Sequence, residues 1–230
     1  DGSVVSGWPV IIPGSISSSP VVGDIDGDGK EDIVIGLTYA SDIFPDGRYG
    51  GLYAFSRNGE IMPGWPYKKG WNFWSTPSLG DTDKNGTLEI AASSLGFETH
   101  LLNYRGELLP GWPQLTTWND YYGSLISDIN DDSKLDIITT AGNGFLPTLN
   151  PHGGVYAWSS DGQEIFVKRT EVDAQTPAVI GDIDHDGKLE LVASSDWDLD
   201  ISNYWNPSKT RSSIYVWELD GQANKNKLPW

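Results

Sequence analysis

The 230-residue sequence contains no cysteine, which excludes disulfides, thiolate zinc sites and a cysteine nucleophile, and leaves the redox compartment unread. It has no apolar run near the ~18 residues that a membrane span requires, so no membrane insertion is expected. Cations are scarce: 15 Lys and Arg stand against 32 Asp and Glu, a net charge of −17. Phosphate contacts need clustered cations, so no nucleic-acid partner is expected and an anionic membrane surface is disfavoured. Helical periodicity with caps is missing throughout, as are H-E-x-x-H and G-x-S-x-G motifs. Residue 1 is Asp in an Asp1-Gly2 dipeptide without a charged and apolar leader, so any export signal is expected outside this sequence. What is present is 38% hydrophobic and 12% aromatic content, with 27 Gly, 14 Pro and 11 Trp. That is too apolar for a disordered chain. The length allows one or two domains, and all-β folds of this size are often single.

Self-similarity organises the rest. Four segments align, VVGDIDGDGKEDIVIG from Val21, SLGDTDKNGTLEIAAS from Ser78, LISDINDDSKLDIITT from Leu125 and VIGDIDHDGKLELVAS from Val179. A second element follows each one: GLYAFSRNGEIMPGWP from Gly51, THLLNYRGELLPGWP from Thr99, GVYAWSSDGQEIFVKR from Gly154 and SIYVWELDGQANKNKLPW from Ser213. The period is about fifty residues, and each unit reads as four short strands with Asn-Gly, Arg-Gly or Asp-Gly at a tight two-residue hairpin. Antiparallel four-stranded units at this spacing predict an all-β fold, a β-propeller of four-stranded blades with four sequence repeats visible. The expected units are 14–66, 67–113, 114–169 and 170–230, within a single domain spanning 1–230 or a fragment of a larger one. Residues 1–9 are a candidate closing strand: Ser3-Val4-Val5-Ser6 would complete the last blade, whose own fourth strand, Gln222 to Lys227, is poor. Only four units leave closure open between a compact ring and a piece of a longer chain.

Each unit carries an acidic loop with oxygen side chains at positions 1, 3, 5 and 9. These are Asp24, Asp26, Asp28 and Asp32; Asp81, Asp83, Asn85 and Glu89; Asp128, Asn130, Asp132 and Asp136; and Asp182, Asp184, Asp186 and Glu190. Ca²⁺ takes six to eight hard oxygen ligands, and alternate residues of a tight loop can converge on one point, with a backbone carbonyl at position 7 from Lys30, Thr87, Lys134 or Lys188. Up to four Ca²⁺ are expected. Glycine stands at position 6 in three loops, Gly29, Gly86 and Gly187, whereas Ser133 departs from this and predicts a weaker third site. An EF-hand begins the same way but needs a bidentate Glu at position 12. Ile35, Ala92, Thr139 and Ala193 stand there instead. Mg²⁺ prefers to keep its waters. Metal-free Asp-Gly turns are the plain alternative, against which four copies in register weigh. Without a cation, each loop would crowd three or four like charges, so metal binding should stabilise the fold.

These residues resemble the FG-GAP/VCBS repeats of integrin α-subunit propellers and of many secreted bacterial proteins, over essentially the whole chain. In that family the D-x-D-G-D-G-x-x-D loop joins strands 1 and 2 of a blade and binds Ca²⁺. The resemblance carries this role onto the four sets above, most closely onto Asp24–Asp32 and Asp182–Glu190. It implies an extracellular or cell-surface setting, and rings that commonly have seven blades.

In an antiparallel blade the 1–2 and 3–4 turns share one end, and the 2–3 and blade-linking loops share the other. The second end collects aromatics: Tyr67, Trp71, Phe73, Trp74, Trp118, Tyr121 and Tyr122 in linking loops, and Tyr39, Phe44, Tyr49, Phe145, Trp197, Tyr204 and Trp205 in 2–3 loops. Trp71, Trp74, Trp118, Tyr121, Tyr122, Trp197 and Trp205 are the candidate ligand contacts. By contrast, Trp8, Trp65 and Trp112 in Gly-Trp-Pro, with Trp158 and Trp217, recur at fixed unit positions and are expected to pack between blades. Exposed rings beside polar residues suit a glycan, as in lectin-like carbohydrate binding or adhesion, and equally a protein surface ligand. No catalytic residue is assigned. His100, His152 and His185 lack convincing partners, and Asp42, Asp46, Asp120, Asp196, Asp198 and Asp200 are expected to be solvated loop acids. The expectation is a calcium-binding β-propeller binding module, not an enzyme. The alternatives are a structural or protein-interaction domain of a larger secreted or surface protein, with further domains as partners, and a polysaccharide lyase or hydrolase.

Overall fold

The computed structural model describes residues 2–12, 14–38, 50–69, 71–116, 123–142, 153–170, 174, 176–196 and 212–223. Among the described residues there is no helix, hence none long and apolar enough to cross a membrane. The strands form four antiparallel sheets. The first holds β1 (Val21–Gly23), β2 (Asp32–Leu37) and β3 (Gly51–Ser56), and the second holds β4 (Ser78–Gly80), β5 (Glu89–Ser94), β6 (Glu98–Leu102) and β7 (Gln114–Leu115). The third holds β8 (Ser124–Ser127), β9 (Asp136–Ala141), β10 (Gly154–Ser159) and β11 (Glu164–Arg169), and the fourth β12 (Val179–Gly181), β13 (Lys188–Asp196) and β14 (Ser212–Gln222). Neighbours in space are neighbours in sequence, so every sheet is a meander, one for each sequence repeat. Four such sheets are what is found; a closed ring is not defined among the described residues.

Successive side chains of a strand point to opposite faces, so the second and third sheets each pack one face on the sheet before and the other on the sheet after. Val34, Leu52 and Ala54 of the first sheet share a buried cluster with Ile90, Ala92 and Leu102 of the second. On the opposite face of the second sheet, Ala91 and Leu101 pack with Ile126, Ile137, Tyr156 and Trp158 of the third. Ile138, Val155 and Ala157 then pack with Ile180, Leu191 and Ala193 of the fourth. Removing each such Ile or Leu from water stabilises the fold by about 1.5–3 kcal/mol. Glycine at the end of the first strand lets the sheets approach: a Cβ on Gly23 would lie 2.8 Å from Leu79 Cδ1, and one on Gly80 2.7 Å from Ile126 Cγ2.

The Gly-Trp-Pro segments tie neighbouring units together at the hairpins. Trp8 Nε1 donates to the Arg57 carbonyl at 3.0 Å, Trp65 Nε1 to Tyr104 at 2.7 Å and Trp112 Nε1 to Ser160 at 2.8 Å. Trp112 also meets Trp158 edge-on with ring centres 6.0 Å apart. Each grip reaches from one unit to the 3–4 hairpin of the next. A second repeated anchor had not been read from the sequence. A hydroxyl six residues before the first loop aspartate bonds the second strand, as Ser18 to the backbone of Gly36, Ser75 to that of Ser93, and Thr176 to the Ser194 hydroxyl.

Three expectations are corrected. The hairpins carry three-residue loops, since Ser56 N–H donates to Glu60 O at 2.9 Å and Gly59 N–H to Ser56 O at 2.8 Å. Only the glycine takes a positive φ, +80° at Gly59, as in a type I turn followed by a left-handed residue. Second, β14 continues through Asp220-Gly221 to Gln222 with a bulge against β13, where Leu219 to Gly221 oppose Leu189, in place of a hairpin. The sequence from Gln222 to Lys227 is poor in apolar residues, and the backbone continues along β13, with Ala223 N–H donating to Gly187 O at 2.9 Å. Third, residues 2–9 form no strand. The candidate closing segment sits on the first unit: Trp8 meets Phe55 edge-on with ring centres 6.1 Å apart, and Trp8, Val10 and Ile12 pack on Tyr53 and Phe55.

Candidate metal centres

The acidic loops connect the first two strands of each sheet, and one hydrogen-bond scheme recurs in all four. The position-1 carboxylate accepts the N–H of position 6: Gly29 to Asp24 at 2.8 Å, Gly86 to Asp81 at 3.0 Å, Ser133 to Asp128 at 3.0 Å and Gly187 to Asp182 at 3.2 Å. The position-9 carboxylate accepts the N–H of position 2: Ile25 to Asp32 at 3.3 Å, Thr82 to Glu89 at 2.8 Å, Ile129 to Asp136 at 3.1 Å and Ile183 to Glu190 at 2.8 Å. Position 3 accepts from position 5, as Asp28 N–H to Asp26 and Asp186 N–H to Asp184, both at 3.1 Å. Thr82 Oγ1 adds a bond to Glu89 at 2.7 Å.

These bonds fold the loop so that carboxylates meet. Oxygens of Asp24, Asp26 and Asp32 lie within 4.8 Å of one another, and so do those of Asp81, Asp83 and Glu89, and of Asp182, Asp184 and Glu190. The third loop brings Asp128 and Asp136 to the same positions, but its third member is the Asn130 amide, which adds no charge. The scheme occupies one oxygen of the position-9 group and leaves the other inward: Asp136 Oδ1 is buried with no hydrogen-bond partner, as is Asp182 Oδ1 at position 1. Position 5 is turned partly aside. Asp28 pairs with Lys30 Nζ at 2.5 Å, and Asp132 and Asp186 each accept the N–H of position 7 at 2.8 Å. Asn85 accepts the N–H and hydroxyl of Thr87 at 2.7 and 2.6 Å.

Burial first, and then the neighbouring carboxylates, raise Asp32, Glu89 and Asp136 at position 9. Asp136 is pushed up to about 7 and Asp32 to about 6, and Glu89 is raised for the same reasons. Asp28 is lowered by its bond to Lys30. Position 4, which the sequence had not singled out, is left-handed in every loop: φ is +76° at Gly27, +62° at Lys84, +62° at Asp131 and +64° at His185. Ser133 at position 6 of the third loop also takes +65°, a conformation that costs a non-glycine residue about 1–2 kcal/mol. The loops of the second and third units and the 3–4 hairpin at Ser159, Ser160 and Asp161 line a common open cleft of about 640 Å³. The 1–2 and 3–4 turns therefore share one end of the molecule, as strand order requires.

Of the candidate ligand contacts at the other end, Trp71 is 62% exposed and Trp74 is half-buried. Trp118, Tyr121, Tyr122, Trp197 and Trp205 lie outside the described residues, as do Tyr39, Phe44, Tyr49, Phe145, Tyr204 and His152, and the acids Asp42, Asp46, Asp120, Asp198 and Asp200. Two aromatics grouped with them are core. Tyr67 and Phe73 are buried around His100, with Tyr67 Oη 3.1 Å from His100 Nδ1 and the Phe73 and His100 rings 5.3 Å apart. His100 Nε2 lies 3.5 Å from Glu98, whose carboxyl its bond lowers. This histidine is a buried structural group. Phe97 and Leu115 join Trp71 as exposed apolar side chains of the second unit and its approach.

Residues 17–53, which contain the first acidic loop, match the sequence model of the FG-GAP repeat. The similarity to an FG-GAP repeat covers this one unit. The other three units repeat its loop's hydrogen-bond scheme on their own residues. No curated protein sequence matches the chain. Among solved structures, the V. cholerae biofilm matrix protein Bap1 is similar at 20% identity and a TM-score of 0.46, over 90% of this chain and 38% of that one. BBS1N, solved in complex with ARL6DN, is similar at 11% identity and a TM-score of 0.39, over 83% of this chain and 66% of that one. The chain thus spans less than two thirds of the length of either.

The raised position-9 acids set a pH dependence for metal-free protein. An aspartate of the unfolded chain ionises near 3.9, whereas folded Asp136 holds its proton to about 7. Between these values the unfolded state binds fewer protons, so this group's contribution to stability falls as pH rises from about 4 to about 7. In chelator, Asp136→Asn is therefore expected to flatten the decline of melting temperature over that range; an unaltered or steeper decline contradicts the assignment.

Proposed function

We propose that this chain is a Ca²⁺-stabilised FG-GAP propeller module of an extracellular or cell-surface protein, a single folded domain across 1–230 that binds and does not catalyse. The observation that carries the metal reading is the recurrent loop scheme. Its backbone bonds satisfy part of each carboxylate and bring carboxylate oxygens together at the base of a largely exposed turn, where the buried Asp136 Oδ1 and Asp182 Oδ1 have no partner. An all-oxygen, strongly anionic donor set fits a hard divalent cation. The residues that would hold it are Asp24, Asp26, Asp28, Asp32 and the Lys30 carbonyl; Asp81, Asp83, Asn85, Glu89 and the Thr87 carbonyl; Asp128, Asn130, Asp132, Asp136 and the Lys134 carbonyl; and Asp182, Asp184, Asp186, Glu190 and the Lys188 carbonyl. A bound Ca²⁺ supplies charge neutralisation and fastens the first strand to the second. The third loop, with Asn130 and strained Ser133, is proposed as the weakest.

The ligand face is proposed at the opposite end. Trp71 presents a largely exposed ring, with Phe97 and Leu115 exposed nearby in the chain, which favours stacking on a sugar face or anchoring a protein. A structural or interaction domain of a larger protein is the alternative, since an FG-GAP repeat suits either role.

Two measurements test these readings. Saturation at 100 times Kd stabilises by about 2.7 kcal/mol per site, and for a chain of this size 1 kcal/mol moves the melting temperature by roughly 2–4 °C. Chelation is expected to lower the melting temperature by roughly 5–10 °C for each site emptied, and an unchanged melt counts against structural calcium. Trp71→Ala is expected to leave the melt in place while abolishing binding on a glycan array; a blank wild-type array with a recovered protein partner moves the assignment to protein recognition.

A further inference from the structure

One backbone bond recurs at position 5 of all four loops. The N–H of position 7 donates to a side-chain oxygen there, from Lys30 to Asp28, Lys134 to Asp132 and Lys188 to Asp186 at 2.8 Å, and from Thr87 to Asn85 at 2.7 Å. What the position-7 side chain does next differs from unit to unit. Lys30 folds back on its own loop, so that Nζ donates to Asp28 Oδ2 at 2.5 Å and one residue holds both oxygens of that carboxylate. Lys188 turns away and donates to Glu218 of β14 at 2.6 Å, so among the described residues Asp186 accepts the backbone bond alone. Lys134 lies on the wall of the cleft that Asp161 also lines. Thr87 carries no charge, and its hydroxyl joins its N–H on Asn85.

The third strand accounts for the divergence. Register sets Glu218 opposite position 9 in the fourth unit, but Ser56 in the first and Ser159 in the third. A carboxylate at that place draws the lysine off its loop. Serine offers no such charge, and Lys30 pairs with Asp28 instead, whereas the third unit has Asp161 two residues further on. The first loop therefore holds four carboxylates, Asp24, Asp26, Asp28 and Asp32, and a cation of its own, where the second holds three and none at position 7.

On the metal reading given above, we further propose that Lys30 is the resident counter-ion of the first loop: its ammonium neutralises Asp28 in metal-free protein and must release Asp28 Oδ2 before that oxygen can serve a cation. Lys30 thus lowers the Ca²⁺ affinity of its own loop while relieving the metal-free fold of part of the repulsion among four acids. It brings the first loop level with the second, whose position 5 is the uncharged Asn85. Both partners are about half exposed, so water screens the pair and the effect is a few-fold one.

Calcium titration of chelator-stripped chain, read at the Gly29 and Gly187 amides in proton–nitrogen correlation spectra, tests this together with melting in chelator. Lys30→Met is expected to move the Gly29 midpoint to about two- to fivefold lower free Ca²⁺, while the Gly187 midpoint stays. In chelator the same substitution is expected to lower the melting temperature by roughly 1–3 °C. At least half of that loss should vanish in an Asp28→Asn background, where the charge that Lys30 counters is gone. An unmoved or raised Gly29 midpoint overturns the proposal, as does an equal shift at Gly187 or a melting loss that persists in full with Asp28→Asn. Wild-type amides that ignore Ca²⁺ overturn the metal reading and this proposal with it; amides that respond while Lys30→Met changes nothing overturn this proposal alone. Lys30→Gln replaces Lys30→Met if the latter loses its β-sheet circular dichroism.

Discussion

The structure depends on what happens where the first strand of each unit turns into the second. Three carboxylates are gathered there in the first, second and fourth units and two beside the Asn130 amide in the third, and the position-9 member is buried in every unit. Two carboxylates brought within a few ångströms oppose ionisation of one another, and burial adds to the cost. The raised Asp32, Glu89 and Asp136 carboxyls are the local record of that conflict. The loop meets part of the cost itself, by donating backbone N–H groups to both oxygens of Asp24 and of Asp81, to one oxygen of Asp182, and to one oxygen of each position-9 carboxylate. A cation of the proposed kind would offset the remainder. The same turn then becomes the stiffest joint of the unit instead of its weakest.

From this turn the rest of the unit follows. Fixing the first strand against the second sets the face that meets the next sheet, and the small residue closing the first strand allows that sheet to approach. The Gly-Trp-Pro grip and the hydroxyl anchor repeat the link at the hairpin and at the linker. Stability in such a chain is a sum of unit and nearest-neighbour terms.

Much of this was legible in the sequence because repetition averages out local noise. Alternating apolar residues beside the acidic loops located β2, β5, β9 and β13, and oxygen spacing located the clustered carboxylates. What was not legible had specific causes. Asn58-Gly59 suits both two- and three-residue hairpins, and only the pairing of Ser56 with Glu60 distinguishes them. Asp220-Gly221 has the chemistry of a turn, but the sequence from Gln222 to Lys227 is poor in apolar residues. The left-handed position 4 was hidden because Lys84, Asp131 and His185 share no chemistry, although Gly27 in the first loop was a signal. Tyr67 and Phe73 lie outside the repeated pattern, so nothing in the spacing marked them as the packing around His100.

The central claim is that the recurrent loops are cation cages. Isothermal titration of chelator-stripped chain with Ca²⁺ tests it most directly. The account predicts three equivalents of similar affinity, from the loops with three clustered carboxylates, and a weaker fourth from the loop with Asn130 and Ser133. An absence of binding heat together with no retained Ca²⁺ on equilibrium dialysis would contradict it.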